Sequence, residues 1–241
     1  MSSIPKQLAL NVNLRDSFIF DSFYINPDSK NAEVVRVLQS IFMSKDIQQN
    51  IIWGDTLSGK THLLQACCAK AAEAHHTISY IPLKDFKSYG TAVLEGLSQS
   101  KLLVIDDIDE VLGDKEWEIA LFNLINITRE NGQSLLLSSV QNPRYLAQNF
   151  EGILPDLASR LIWGGSYQLH ALTDNEKPLA LQARAEQRGF KLKDHVIGFL
   201  YRRYPRDIES LMEVLNKLDE ESLRQKAHIT IPFAKKVLGI K

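Results

Sequence analysis

The stretch GDTLSGKT, at 54–61, constrains the fold more than any other part of the sequence. It fits the phosphate-binding pattern G-x-x-x-x-G-K-[ST] at every fixed position. The apolar run NIIW precedes it and the helical pattern THLLQACCAKAAEA overlaps its end, which gives the strand–loop–helix order that the motif requires. The sequence therefore predicts a nucleotide phosphate site at the start of this helix rather than a chance match in a glycine-containing turn.

Each fixed residue of the loop has an expected chemical role. Gly54 and Gly59 let the backbone wrap closely, so that its N–H groups point at phosphate oxygens beside the positive end of the helix dipole. Lys60 is expected to reach the β and γ phosphates, and Thr61 to offer a hydroxyl to Mg²⁺. The predicted cofactors are ADP or ATP, with magnesium.

A second motif, LLVIDDID at 102–109, follows about forty residues later. Apolar residues followed by carboxylates are typical of a buried strand that delivers acids at its carboxyl end, where α/β sheets bind ligands. Asp106 is expected to hold Mg²⁺, directly or through water, and Asp107 to lie near the γ phosphate. The alternative is a strand that ends in solvated acids, and the phosphate loop argues against it.

Strand and helix patterns alternate from about Ile19 to Leu172. The apolar runs predict five strands, which favours an α/β domain with a mostly parallel sheet covered by helices. After Leu172 only helical patterns follow. They include a capping box, TDNE at 173–176, and an amphipathic helix over 205–218. We therefore expect a tail over 1–15, an α/β domain over 16–171 and an all-helical domain over 172–241.

Composition and charge narrow the class of protein. Of the 241 residues, 44% are hydrophobic and 24% are charged, with no apolar run long enough for a membrane span and no secretory signal. Adjacent Cys67 and Cys68 favour a reducing, cytoplasmic location. A net charge of −1 disfavours a protein that grips DNA by itself, although Arg202, Arg203 and Arg206 leave either a local basic patch or a solvated face open.

The phosphate loop, the paired aspartates and the trailing helices together resemble the AAA+ class of ATPases. FDSFYINPDSKNAEVV, at 20–35, resembles the segment near the adenine in the bacterial replication initiator DnaA. LPDLASRLIWG, at 154–164, is similar to its arginine box, and YPRDIESLM, at 204–212, to its sensor 2 helix. The resemblance runs from about residue 18 to the end. It implies an AAA+ P-loop NTPase fold followed by a small all-α lid domain.

A short tail before a DnaA-like module resembles the Hda family, the regulatory inactivators of DnaA. The tail is apolar, and QLALNV is similar to the sliding-clamp-binding peptide of that family. The resemblance implies that Gln7, Leu8, Leu10 and Val12 bind the beta subunit clamp of the DNA polymerase. Such an extended segment places alternate side chains into the pockets of a groove. Pairing of the tail with the chain's own sheet is the alternative.

The resemblance to the family motifs implies roles for two arginines. Arg160, in LASRL, matches the arginine finger and would complete the ATP site of a DnaA molecule, whereas an ordinary surface salt bridge is the alternative. Arg206 matches sensor 2, but its place opposite the apolar stripe of its helix also fits a solvated side chain. Asp107 stands where many AAA+ ATPases have Glu, and Val140 where DnaA relatives tend to have Asp. Both departures disfavour rapid hydrolysis by this chain.

The resemblance implies a cytoplasmic negative regulator of replication initiation. It would bind nucleotide, dock on the DNA-loaded clamp and stimulate ATP hydrolysis by DnaA, so that it meets DNA only through the clamp. An activator of DnaA is favoured over an efficient ATPase. The alternatives are an autonomous AAA+ ATPase such as a helicase loader, a small-molecule kinase and a DNA-binding initiator. The sequence leaves open the nucleotide, a homo-oligomeric state and the contact surface on DnaA.

Overall fold

The sheet has the five strands that the sequence predicts. A computed structural model of the chain describes residues 18–41, 48–149 and 152–240, so the predicted clamp-binding residues of the tail lie outside the described residues. The strands are all parallel and follow the order β2-β3-β4-β1-β5. Their bounds are β1 Gln49–Trp53, β2 Ile78–Pro82, β3 Leu102–Asp106, β4 Ser134–Ser139 and β5 Gly165–Gln168.

Helices cover the sheet and then form a separate layer at the end of the chain. Their bounds are α1 Lys30–Ser40, α2 Lys60–Glu73, α3 Leu83–Phe86, α4 Lys115–Glu130, α5 Pro143–Asn149, α6 Pro155–Leu161, α7 Glu176–Gln187, α8 Asp194–Arg203, α9 Ile208–Gln225 and α10 Ile231–Leu238. Within the described part of the chain, no helix is long and apolar enough to cross a bilayer.

The sheet is buried on both faces, as a parallel sheet requires. One apolar core joins α1 and α2 to one face, and a second joins α4 and α6 to the other. Every residue of β3 is buried, which explains why its sequence is a continuous apolar run rather than an alternating one. Because the strands are parallel, the segments that follow β1 and β3 leave the sheet at the same edge. The predicted loop and acids therefore meet there.

Helices α7 to α10 have an apolar core of their own, which includes Leu181, Leu200, Leu211 and Leu215. The predicted helix over 205–218 begins later, at Ile208, because the Asp207 side chain accepts the Ser210 N–H at 2.7 Å and caps it there. The predicted capping box is also altered.

In that box, Glu176 accepts from the Thr173 N–H at 2.9 Å, as predicted. The Thr173 hydroxyl, however, donates to the same carboxylate at 2.7 Å instead of accepting a backbone N–H, so that α7 begins at Glu176 itself. The helix α7 therefore begins two residues later than a cap at Thr173 would place it.

The segment Phe18–Phe23, which we call the N-terminal strap, crosses the first turn of α2. The Phe18 ring stacks on His62 with 4.5 Å between ring centroids, and the Phe23 ring meets His62 edge-on at 5.2 Å. The His62 Nε2 atom lies 3.1 Å from both the Ser22 hydroxyl and the Ile19 carbonyl oxygen. The strap is therefore fastened to the helix that begins at the phosphate loop.

Enclosure of His62 predicts a specific pH dependence of stability. Burial lowers the pKa of His62 to about 4, the hydrogen bond to the Ile19 backbone opposes this shift, and the nearby Arg184 guanidinium adds to it. An unfolded histidine has a pKa near 6.5, so between about pH 6.5 and 4 the unfolded chain binds more protons than the folded one. The free energy of unfolding contributed by His62 is therefore present above pH 6.5 and is lost as the pH falls towards 4.

We expect His62→Gln to flatten this part of the stability profile. Between pH 7 and 4.5 the wild type should lose about 2 kcal/mol more free energy of unfolding than the variant, since one pKa unit corresponds to 1.36 kcal/mol. Urea unfolding without nucleotide or magnesium measures the difference. The control is His195→Gln, on the exposed surface of α8. Parallel profiles for the wild type and His62→Gln would contradict the prediction.

Candidate functional site

The phosphate loop, Gly54–Thr61, joins the carboxyl end of β1 to α2. The Gly54 N–H donates to the Ser139 carbonyl at 3.2 Å, and a Cβ on Gly54 would clash with the carbonyl oxygen of Leu169. Gly59 has φ +99°, and a Cβ there would lie 2.6 Å from the Phe23 ring. Neither position accepts a side chain, which agrees with the predicted need for glycine.

Lys60 is the buried cation of the loop. Its Nζ donates to the carbonyl oxygens of Gly54 at 2.7 Å and Asp55 at 3.0 Å. Burial lowers the pKa of Lys60, and nearby carboxylates, first among them Asp107 and Asp106, oppose that shift. Thr61 follows it in the first turn of α2, half-buried. The loop therefore places a cation and a hydroxyl where the motif predicts them.

Asp106 ends β3 and is only 1% exposed. Its Oδ2 accepts from the Tyr80 hydroxyl at 2.9 Å, and its Oδ1 accepts from the Ser138 hydroxyl. Burial, with the Asp106 charge as a smaller cause, raises the pKa of Tyr80 well above its usual range, so this hydroxyl keeps its proton and donates. Two hydroxyls on the neighbouring strands therefore fix the carboxylate, and no sequence pattern pointed to the one on Tyr80.

Asp107 adopts an unusual backbone conformation, with φ +57°. Its N–H donates to the Ser138 hydroxyl at 2.8 Å. Burial raises the pKa of Asp107 to about 6, with Asp106 adding to the shift and Lys60 opposing it. Asp109 turns to the end of β4, where it accepts the Val140 N–H at 2.6 Å, and burial raises its pKa as well. The acids therefore differ in role: Asp109 is tied to the backbone, whereas Asp107 lies by Lys60.

Two further residues of the loop have features that its motif does not reveal. Leu57 has φ +66° and is 45% exposed, although this conformation costs a non-glycine residue about 1–2 kcal/mol. The Ser58 hydroxyl is buried and has no hydrogen-bond partner in the described part of the chain. The motif allows any residue at both positions, so neither the strain nor the unsatisfied hydroxyl could be predicted from it.

Arg160 lies at the other end of β1. It belongs to the last turn of α6, and its carbonyl oxygen accepts from the Gln49 side chain at 2.6 Å. Gln49 is the first residue of β1, whereas the phosphate loop follows the last, so about 13 Å of extended strand separates these two ends. The Arg160 guanidinium lies over the Trp163 ring, 4.3 Å from its centroid. Arg160 is therefore remote from the loop along the direction of the strand.

Arg206 lies outside α9, the helix on which we predicted it from the sequence. Because α9 begins at Ile208, Arg206 lies in the preceding turn, exposed, with its guanidinium 5.4 Å from the centroid of the Tyr201 ring. The Tyr201 hydroxyl donates to the Asp174 carbonyl at 3.2 Å, which ties this corner of α8 to the start of the lid. The sensor 2 role of Arg206 remains a prediction.

Comparison with known proteins identifies the two parts of the chain. Residues 14–168 match the family model of the bacterial DnaA ATPase domain, and residues 174–238 match that of the Hda lid domain. An uncharacterized protein of Haemophilus influenzae is 41% identical over 238 residues, which covers 98% of this chain and 99% of that protein.

Solved structures share the fold. Domain III of the Thermotoga maritima replication initiation protein DnaA superimposes with a TM-score of 0.71 at 19% identity, covering 93% of this chain and 96% of that one. AMPPCP-bound DnaA from Aquifex aeolicus gives a TM-score of 0.67 at 22% identity, covering 89% and 69%. The parallel sheet, the phosphate loop and the helices that follow them agree with the two family matches. The chain therefore belongs to the DnaA-related AAA+ proteins, as an Hda-like member that joins a DnaA-type ATPase domain to an Hda lid domain.

Proposed function

We propose that this protein is a negative regulator of replication initiation that binds a nucleotide, docks on the sliding clamp and stimulates ATP hydrolysis by DnaA. The observation that carries the proposal is the position of Arg160, at the opposite end of β1 from the chain's own phosphate loop. An arginine so placed is suited to the nucleotide of another molecule. The match to DnaA-type and Hda lid families supports DnaA as that molecule.

The nucleotide site of this chain fits ADP or ATP with magnesium. The unsatisfied Ser58 hydroxyl and the backbone N–H groups at the start of α2 offer donors to phosphate oxygens, and Lys60 offers a positive charge. Thr61 and Asp106 would hold Mg²⁺. Bound Mg²⁺ neutralises phosphate charge and takes oxygen ligands from both protein and nucleotide.

Hydrolysis by this chain is expected to be slow. Val140, which directly follows β4, has no polar side-chain group to orient a water, and the Ser138 hydroxyl donates to Asp106. Asp107 is the remaining candidate base, but it is one methylene shorter than the Glu of many AAA+ ATPases and its backbone is held at φ +57°, so it is poorly suited to orient a water. The runner-up function is an autonomous AAA+ ATPase such as a helicase loader. Fast steady-state phosphate release by the chain alone would favour that function.

Contact with a second protein is supported by the surface around Arg160. Ile162 and Trp163, which directly follow α6, are 42% and 41% exposed. On the neighbouring helix α4, Ile119 is 52% exposed. Exposed apolar side chains that accompany an arginine are typical of the core of a protein interface. We assign this surface to DnaA, and the tail residues Gln7, Leu8, Leu10 and Val12 to the clamp.

Lys60→Ala is expected to remove most of the stabilisation that ADP gives. At 100 times its Kd a ligand adds about 2.7 kcal/mol to the free energy of unfolding, and each kcal/mol raises the Tm of a chain of this size by about 2–4 °C. Differential scanning fluorimetry with magnesium and ADP should show a shift of that size in the wild type. It should persist in Lys70→Ala, an exposed lysine on α2 that pairs with Glu73. If ADP shifts the Tm of neither the wild type nor Lys60→Ala, that result would count against the site.

Arg160→Ala is expected to fold and to bind the clamp normally, and to fail in stimulating DnaA. An arginine finger contributes about 10³-fold or more to hydrolysis, because it stabilises charge in the transition state. Arg160→Lys should rescue little, since an ammonium lacks the planar fork of a guanidinium. Phosphate release by ATP-bound DnaA, with the clamp on DNA, measures the effect. Full stimulation by Arg160→Ala would place the finger elsewhere.

Removal of residues 1–14 is expected to abolish clamp binding and to leave melting and ADP binding nearly unchanged. The double variant Gln7→Ala, Leu10→Ala should behave in the same way, because interface anchors often contribute about 2 kcal/mol or more each. The control is Asn13→Ala, beyond the peptide motif. A pull-down with purified clamp measures binding. A truncated chain that melts much earlier, or that still binds the clamp fully, would contradict the docking role.

A further inference from the structure

Two guanidinium groups lie over one exposed indole beside α6. The Arg160 guanidinium carbon is 4.3 Å from the centroid of the Trp163 ring, and that of Arg129, at the end of α4, is 3.9 Å from the same centroid. The Phe122 ring lies under Arg160 at a longer distance of 5.6 Å. We call the rings of Phe122 and Trp163 the aromatic platform of Arg160.

The backbone that carries the platform is fixed by hydrogen bonds. The Trp163 N–H donates to the Arg160 carbonyl at 3.2 Å, and the Gln49 side chain donates to the carbonyl oxygens of both residues, at 2.6 and 3.0 Å. The next residue, Gly164, has φ +81°, and a Cβ there would clash with the Gln49 backbone carbonyl. The chain therefore holds Arg160 and Trp163 at one spacing, anchored to the first residue of β1.

Helix α6 itself is held against α4. The Glu118 carboxylate, buried on α4, accepts the Leu154 N–H at 3.0 Å at the start of α6 and the Gly113 N–H at 2.8 Å. The helix that carries Arg160 is thus tied at its beginning to the helix that carries Arg129 and Phe122. The positions of Arg129, Arg160 and the two platform rings relative to one another therefore depend on these hydrogen bonds as well as on side-chain packing.

The platform orients Arg160 without neutralising it. Within residues 18–41, 48–149 and 152–240, no carboxylate lies within salt-bridge distance of Arg160 or Arg129. A ring attracts a guanidinium through its π face, whereas a carboxylate would also occupy the N–H groups that bind phosphate. The Arg160 Nε is buried, so the charge and the terminal N–H groups of its guanidinium are what it keeps for an anionic partner.

We propose that Trp163 is a positioning residue for Arg160, whose indole holds the guanidinium ready for a phosphoryl group on a second protein. This inference rests on the proposed function, in which that group belongs to ATP on DnaA. The structure that carries it is the stack of Arg160 on Trp163, with both backbones pinned by Gln49.

The test compares Trp163→Leu, which removes the π face, with Trp163→Phe, which keeps one. Trp163→Leu should lower the maximal rate of clamp-dependent ATP hydrolysis by DnaA on the order of tenfold, the rate equivalent of one well-formed cation–π contact. The concentration that gives half of the maximal effect is measured separately, because Trp163 also lies on the surface assigned to DnaA. A rise in that concentration at an unchanged maximal rate would show a contact role alone and would overturn the positioning role. Trp163→Phe should keep most of the rate.

A second measurement reads the stack in the isolated chain. In ¹H–¹⁵N spectra, the Arg160 Nε–Hε signal should be displaced by the ring current of Trp163, should return to the free-arginine position in Trp163→Leu and should remain displaced in Trp163→Phe. An unmoved signal in Trp163→Leu would overturn the stack. Full stimulation by Trp163→Leu, alongside an inactive Arg160→Ala, would overturn the positioning role but leave the proposed function intact. Full stimulation by Arg160→Ala would instead overturn the proposed function, and the positioning role with it.

Discussion

The pairing of β1 with β4 on one side and β5 on the other is the constraint on which the rest of the molecule depends. The carboxyl end of this strand opens into the phosphate loop, where Ser139 at the end of β4 and Leu169 just after β5 supply the carbonyl groups next to Gly54. Its amino end begins with Gln49, which binds the turn that carries Arg160 and Trp163. One short buried strand therefore sets the distance between a nucleotide-type site and a half-buried arginine.

The chemistry at the two ends differs in kind. At the loop, Lys60 is buried against carbonyl oxygens and beside carboxylates, which oppose the effect of burial on its pKa. At the other end, the cations Arg160 and Arg129 are held by aromatic rings without a carboxylate partner in the described part of the chain. The first arrangement suits a ligand that enters the chain. The second suits an anion that is presented by another molecule.

Sequence alone predicted the sheet, the loop and the paired acids, because each is a local pattern. Buried parallel strands appear as apolar runs, and the loop motif fixes the order of strand, turn and helix. The start of α9 was predicted three residues early, since the side-chain cap from Asp207 competes with the usual place of proline in a first turn. Arg206 was misplaced for the same reason.

Contacts between distant segments could not be predicted in this way. Gln49 and Trp163 are 114 positions apart, and Tyr80 reaches Asp106 across 26 positions, with no periodicity to signal either pair. The positive φ of Leu57 follows from the path of the loop rather than from its own side chain, which prefers other conformations. Such features arise only when distant segments pack together, so local patterns in a single sequence do not predict them.

The short length of β1 has a consequence for how this protein can change during evolution. Successive side chains on a strand point to opposite faces, and Ile51 and Ile52 pack into the two different cores of the sheet. The insertion or deletion of one residue within Gln49–Trp53 would therefore turn these side chains towards the wrong cores. It would also break the contact of the Gln49 side chain with α6 or that of Gly54 with the Ser139 carbonyl. We therefore expect changes of length to be tolerated in the connections rather than in this strand, because each of its ends holds a functional segment in place.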